Sequence, residues 1–311
     1  MILCCGEALI DMIPTPTASG GMAYAPHTGG AIFNTAIALG RLGADAALLS
    51  GVSTDGFGEM LVASLRANNV KTDHLIRSDR LTTLAIVHLT EGKAVYSFYD
   101  ENSAGSAFAA ADMPALPDDL TALYFGGISL VAEPAATAYE ALMAQAAGRN
   151  TIVLDPNIRP GFITDEPAFR ARLARMIAKS DIVKVSDEDL DWIDQGGGSL
   201  ADRARRLCEA GPQFVVVTKG DKGATVVSRT AQLDSPALSA QVVDTVGAGD
   251  TFNAGLMLGL DRLGLLNKAS LAAAQVPQLR PALTLGARAA AVTVSRAGAN
   301  PPWASELDLS E

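Results

Sequence analysis

Short apolar runs alternate with longer stretches in which apolar residues recur at helical spacing, and this alternation holds through most of the 311-residue chain. Ile2–Cys5, Ala46–Val52, Ala122–Phe125, Thr151–Leu154, Ile182–Val185 and Phe214–Val217 read as strands. Helices are predicted over Ile32–Leu42, Phe57–Asn68, Glu133–Ala147, Glu166–Ala178, Ala201–Ala210, Thr251–Leu263 and Leu283–Ser295. In the first of these, Ile32, Phe33, Ala36, Ile37 and Leu39 supply the apolar positions, and Gly43 is a suitable left-handed residue to end it. Strands that alternate with helices in this way predict an α/β fold whose largely parallel sheet is covered on both faces.

Two segments break the rhythm. Asp11–Thr28 is rich in Pro, Gly and Thr, and Leu84–Leu89 and Ala94–Tyr99 flank Glu91-Gly92 in a hairpin pattern. Segments 11–28 and 81–106 are therefore expected to pair into a small β lid over a single main domain spanning 1–311. An ordinary hairpin meander on the edge of the main sheet is the alternative.

Composition narrows the function. Hydrophobic residues at 49% and charged residues at 19% suit a well-packed globule. A net charge of −10 opposes general binding to nucleic acid or anionic membranes, so an anionic ligand must be met by local dipoles, a few cations and Mg²⁺. Cys4, Cys5 and Cys208 are odd in number, with two adjacent in an apolar run, and read as buried reduced thiols. His27, His74 and His88 lack partners at zinc-ligand spacing. No basic leader pattern and no membrane-length apolar run is evident, and a cytoplasmic protein is expected.

The most informative stretch is Asp244-Thr245-Val246-Gly247-Ala248-Gly249-Asp250-Thr251-Phe252-Asn253-Ala254-Gly255. Gly247, Ala248 and Gly249 allow main-chain N–H groups to approach a phosphate at a helix start. Asp250 beside such a site is unfavourable unless it has a task, such as accepting a proton from an attacking hydroxyl or holding a metal. The segment fits neither a G-x-x-x-x-G-K-[ST] loop nor a dinucleotide fingerprint, and the chain has no G-x-S-x-G elbow. Alone, it is equally what a capped helix looks like.

A second Gly-rich region resolves that ambiguity. Gly29-Gly30-Ala31-Ile32-Phe33-Asn34-Thr35-Ala36 through Gly43, then Gly51-Val52-Ser53-Thr54-Asp55-Gly56-Phe57-Gly58, resembles the N-terminal signature of the ribokinase-like (PfkB-type) carbohydrate kinases, and Asp244–Gly255 resembles their C-terminal signature. The resemblance covers essentially the whole chain and implies a ribokinase-like three-layer α/β/α fold. It implies that Asp250 is the base that deprotonates the acceptor hydroxyl, with Gly247, Ala248 and Gly249 as the anion hole. Asp11, Gly29, Gly30, Asn34, Phe98 and Arg159 would form the sugar pocket, Arg159 through a D-x-N-x-R match at Asp155–Arg159. Lys184, Ser186, Thr218, Gly220, Gly223 and Gly298 would meet ATP. Asp189 would hold Mg²⁺ through water, and Asp244 and Thr245 would border a monovalent cation such as K⁺.

Three departures from the family pattern matter: Ser186 stands where Asn is usual, Asp189 where Glu is usual, and Asp100 where many relatives carry Arg. Within the family the chain looks most like bacterial fructokinases, which implies phosphorylation of D-fructose to fructose 6-phosphate. 2-Dehydro-3-deoxygluconate kinase, ribokinase, a nucleoside kinase and a catalytically silent sugar-binding regulator are the alternatives. A monomer and a lid-mediated homodimer are both compatible with the resemblance.

Overall fold

The computed structural model describes residues 1–90 and 93–309, so the expected Glu91-Gly92 turn lies outside the described residues. In chain order the elements begin with β1 (Ile2–Cys5), β2 (Leu9–Pro16), β3 (Met22–Gly29), α1 (Ala31–Arg41), β4 (Ala46–Leu49), β5 (Gly51–Ser53), α2 (Gly56–Ala67), β6 (Val70–Lys71) and β7 (Ile76–Ser78). There follow β8 (Leu84–Thr90), β9 (Lys93–Tyr99), β10 (Ala122–Gly126), α3 (Ala135–Ala146), β11 (Thr151–Asp155), α4 (Glu166–Ile177), β12 (Ile182–Ser186), α5 (Asp187–Ile193), α6 (Leu200–Ala210) and β13 (Phe214–Thr218). The remainder holds β14 (Ala224–Val227), β15 (Gln232–Ser235), α7 (Ala248–Arg262), α8 (Lys268–Ala273) and α9 (Arg280–Val294).

Nine strands form the principal sheet in the order β15-β14-β13-β12-β11-β10-β1-β4-β6. Pairing is parallel from β6 to β13 and antiparallel at the β14 and β15 edge. Because successive strand residues face opposite sides, each strand feeds two cores. Cys4, Leu48, Tyr124, Ile182 and Val216 pack with residues of α1, α2, α7 and α9 on one side. Leu3, Leu49, Phe125, Val183 and Val217 pack with residues of α3, α4 and α6 on the other. The result is three layers, as the alternation of short apolar runs and helices requires. All three cysteines are buried and free, and no helix among the described residues is long and apolar enough to cross a membrane.

The expected Ala46–Val52 strand is in fact two. The chain leaves the principal sheet at Ser50, whose carbonyl accepts the Ile76 N–H, and β5 pairs with β7 in a separate two-stranded sheet. At Gly51 a side chain would collide with the Ala104 carbonyl, so the departure is fixed by a close backbone approach.

The two rhythm-breaking segments pair with one another. β2–β3 and β8–β9 are antiparallel hairpins joined by a parallel β2–β8 ladder, giving a four-stranded sheet in the order β3-β2-β8-β9. Only Gly6-Glu7-Ala8 separates β1 from β2, so this small sheet springs directly from the carboxyl edge of the principal one. That edge, where Cys5, Gly126, Asp155, Ser186 and Thr218 end their strands, is where open α/β sheets bind ligands. The strand order reverses direction between β1 and β10.

On the opposite flank, α7 and α9 pack backbone to backbone. A methyl group at Gly255 would stand 2.7 Å from Gly286 Cα, and one at Gly259 would stand 2.5 Å from Ala282 Cα.

Candidate active site

Helix α7 starts without a side-chain cap. Gly247, at φ +76°, turns the chain into the helix in a conformation that L side chains rarely adopt. The N–H groups of Gly249 and Asp250 have no acceptor among the described residues, so they present unpaired donors at the positive end of the helix dipole. Asp250 lies in this first turn and is 8% exposed. Its carboxyl is pushed up to about 7, chiefly by burial, with the nearby Asp155 and Glu7 carboxylates adding to the rise. Asn34 and Lys184 act the other way, Asn34 Nδ2 by donating to Asp250 Oδ2 at 3.0 Å.

Asn34 sits in the first turn of α1, whose N-terminus is served by a carboxylate from another element. Glu7 accepts the Ala31 N–H at 3.0 Å and the Ser129 N–H at 3.3 Å, and burial raises its pKa. Thr35 hydroxyl reaches the Asp250 carbonyl at 3.3 Å. The first turns of α1 and α7 are thus bonded to each other.

Asp11, Gly29, Gly30 and Asn34 come together as expected. A Cβ at Gly29 would stand 2.1 Å from Asp11 Oδ2, so a side chain there would have to displace the Asp11 carboxylate. Burial raises the Asp11 pKa to about 6, and its carboxylate has no hydrogen-bond donor among the described residues. Phe98 pairs in register with Ala85, which pairs with Asp11, so Asp11 and Phe98 share one face of the small sheet. The Phe98 ring packs edge-on against Phe162 at 4.2 Å. Phe98 and Phe162 line a cavity of about 300 Å³ together with Asp100, Ile128, Glu133 and Thr164. Arg159 is exposed, and its guanidinium donates to the Ile158 carbonyl. Asp100 is held at the base of the small sheet by the hydroxyls of Thr83 and Ser103 at 2.6 and 2.7 Å.

A larger cleft of about 640 Å³ opens from the start of α7. Thr218, Gly220, Gly223, Thr245, Ala248 and Gly249 line it. Lys184, Ser186 and Gly298 do not line it. The Gly298 N–H instead donates to Asp244, whose other carboxylate oxygen accepts from the Val246 N–H. Ser186 caps α5 reciprocally with Asp189, whose second oxygen accepts the Ile158 N–H at 2.9 Å. Asp189 therefore ties the start of α5 to the Asp155–Arg159 loop. Lys184 lies beneath the cleft, with its Nζ 2.9 Å from Asp155 Oδ2. Burial is the largest single influence and opposes its charge, but the Asp155, Asp189 and Asp250 carboxylates together outweigh it and the ammonium pKa is raised.

Several participants escaped the sequence reading. Asp155 is 1% exposed and accepts both from Lys184 and from Asn253 Nδ2 at 2.7 Å. It stood inside the D-x-N-x-R match, at a strand end where ligands gather, and those two facts were the available signal. The wall of the larger cleft is supplied by Leu238, Val242 and by Ala287, Ala290, Ala291 and Val294 of α9. Their signal was a face of small residues at helical spacing.

Comparison with known proteins gives the family of the chain. A family profile described as pfkB family carbohydrate kinase matches residues 1–306. A curated fructokinase of Rhizobium leguminosarum bv. trifolii is 50% identical over 280 residues, covering 90% of this chain and 86% of the relative. A crystal structure of fructokinase with bound ATP from Xylella fastidiosa superposes with a TM-score of 0.83 at 28% identity, covering 99% and 97% of the two chains. A fructokinase from Vibrio cholerae O395 in fructose, ADP and calcium ion bound form gives a TM-score of 0.81 at 26% identity, covering 96% and 94%.

Proposed function

This chain belongs to the pfkB family of carbohydrate kinases, and on that premise we propose that it transfers the γ-phosphoryl group of ATP to D-fructose, forming fructose 6-phosphate and ADP. The observation that carries the reading is Asp250, a buried carboxyl pushed up to about 7, held by Asn34 and directly following Gly249, which lines the 640 Å³ cleft. A base of that pKa is half ionised near neutrality, where it accepts a proton most effectively. The 50% identity to a Rhizobium fructokinase supports the choice of sugar.

In this reading the sugar occupies the pocket of Asp11, Gly29, Gly30, Asn34, Phe98 and Arg159, with short acceptors and an amide suited to a polyol. Adenine fills the apolar part of the larger cleft, with Thr218, Gly220 and Gly223 close to the nucleotide. The sugar hydroxyl attacks in line, Asp250 takes its proton, and the free N–H donors around Gly249 receive the charge that spreads over the phosphoryl oxygens. Among the described residues no group of three or more His, Cys, Asp or Glu forms a metal cage. In this reading Mg²⁺ would be held by nucleotide phosphates and water, with Asp189 and the Asp155 region behind the water shell. Mg²⁺ bound there would neutralise phosphate charge. Asp244 and Thr245 border the position for a monovalent cation, K⁺ being the reading carried from the family.

The small sheet would serve as the lid over the sugar, and segments 11–28 and 81–106 as its boundaries. Tyr24 and Tyr99 lie on its face away from Asp11 and are 43% and 66% exposed, which supports a lid-mediated homodimer. Use of ATP supports a cytoplasmic location. The deciding experiment is kcat/KM for fructose against ribose and 2-dehydro-3-deoxygluconate. A preference for fructose is expected, and a preference for either competitor would replace it; binding without turnover would favour a silent regulator.

A further inference from the structure

Glu7 is 9% exposed and sits in the short connection Gly6-Glu7-Ala8 between β1 and β2, at the root of the small sheet. Its two carboxylate oxygens serve different segments: one accepts the Ala31 N–H that opens α1, the other the Ser129 N–H in the turn Gly127–Leu130 after β10. The Glu7 carbonyl accepts the Phe33 N–H at 3.2 Å, so two N–H groups that a helix start leaves unmet end on this one residue. Helix α1 has no side-chain cap from its own N-cap residue, Gly30. A Cβ at Gly30, where φ is +106°, would stand 3.0 Å from the Glu7 carbonyl oxygen, and one at Gly127, where φ is +67°, would collide with the carboxylate itself. A buried carboxylate is costly unless hydrogen-bonded, and here the donors are main-chain groups, one of them at the positive end of a helix.

The turn that Glu7 holds is the one that reaches the base. Asn34 lies three residues beyond Ala31 on α1, and its amide donates to Asp250 Oδ2. We propose that Glu7 is a positioning residue for phosphoryl transfer: it supplies the cap that α1 lacks and fixes the first turn of α1 so that the Asn34 amide meets Asp250 and the sugar together. This deepens the kinase reading and rests on its assignment of Asp250 as the base and Asn34 as a sugar contact. Glu7 touches neither substrate, and its effect passes through Asn34. Its bond to the Ser129 N–H ties the same point to the turn that carries Ile128, in the wall of the cavity beside Phe98.

The test is a pair of double-variant comparisons. Glu7→Gln keeps the size of the side chain but offers one acceptor oxygen to two N–H donors, and Glu7→Asp keeps both oxygens but shortens their reach. Each is measured alone, beside Asn34→Ala, and combined with Asn34→Ala, at a temperature where melting curves show every protein folded. Alone, each Glu7 variant is expected to lower kcat/KM for the sugar about tenfold, the scale of one hydrogen bond to a charged group, with KM for the sugar raised and KM for ATP unmoved. In the Asn34→Ala background the same change is expected to cost less than about threefold, because the amide it displaces is already gone. Full additivity would overturn the proposal, since Glu7 would then act by another route. A fall in kcat with both KM values unmoved would overturn it too, being the mark of a smaller folded fraction. If Glu7→Gln does not fold, Glu7→Asp carries the same comparison. Turnover is followed with whichever sugar the wild type accepts, so a wild-type preference for another sugar overturns fructose and leaves the Glu7 comparison standing.

Discussion

Asn34 Nδ2 donates to Asp250 Oδ2 at 3.0 Å, so the first turns of two helices 216 residues apart in sequence meet at one carboxylate. The bond favours the ionised form of Asp250 and partly offsets the upward push of burial. Removing it in Asn34→Ala should raise the Asp250 pKa above its value of about 7. The base works only when ionised, so the acidic limb of kcat/KM against pH should move to higher pH. An unmoved limb, or one moved to lower pH, would show that Asn34 does not govern this carboxyl.

Asp250→Asn should lower kcat by about 10²- to 10⁴-fold while the fold persists. It should also stabilise the protein above neutrality. The wild-type carboxyl is raised from 3.8 to about 7 in the fold, so folding favours its protonated form. That contribution is complete below the unfolded pKa and is lost as pH rises through the folded one. Melting curves at pH 8 should place the variant above wild type, with the gap closing toward about pH 4. Equal gaps at both pH values would contradict the pKa displacement.

Gly29→Ala drives a methyl group into the Asp11 carboxylate. Initial-rate kinetics should show a rise in KM for the sugar of roughly tenfold or more, the loss of a charge-assisted hydrogen bond. KM for ATP should change little. A selective effect on ATP instead would remove Asp11 from the sugar pocket.

Gly223 has φ +84° and its position leaves no room for a Cβ beside the Ser235 carbonyl. Gly223→Ala should therefore shift the turn between β13 and β14 and raise KM for ATP, with sugar affinity preserved. Calorimetric titration with ADP and with fructose separates the two. Unchanged nucleotide affinity would mean that this turn lies away from the nucleotide.

Much of this architecture can be read from the chain because parallel strands buried on both faces leave apolar runs that stand out. The antiparallel edge does not. Ala224–Val227 follows β13 after a short glycine turn, and Gln232–Ser235 is half polar, so neither announces a strand. The break at Ser50 was hidden because β4 and β5 are both apolar, and only the crowding at Gly51 separates them. At the site, the resemblance to the family signatures pointed to Asp250, Asn34 and Asp11, and the Asn34–Asp250 hydrogen bond joins two of them. The partnership of Lys184 with Asp155 depends on adjacent parallel strands and on burial, which no local spacing encodes. Ser186 illustrates the opposite case, a residue inside a motif match whose hydroxyl is taken up by a helix cap.

The backbone contact of α7 with α9 at Gly255 and Gly286 leaves no room for a side chain between the helix that carries Asp250 and its neighbour. Under the proposed function, chemistry and sugar contact fall on separable pieces of chain: the start of α7, and the small sheet that grows from the carboxyl edge of the principal one. Exchanging segment 81–106, which carries Phe98, with that of a relative is therefore expected to alter sugar preference while Asp250 stays in place, and kcat/KM for two sugars checks it. A single added methyl at position 255 or 286, far from any sugar contact, would instead impair the enzyme toward all sugars alike.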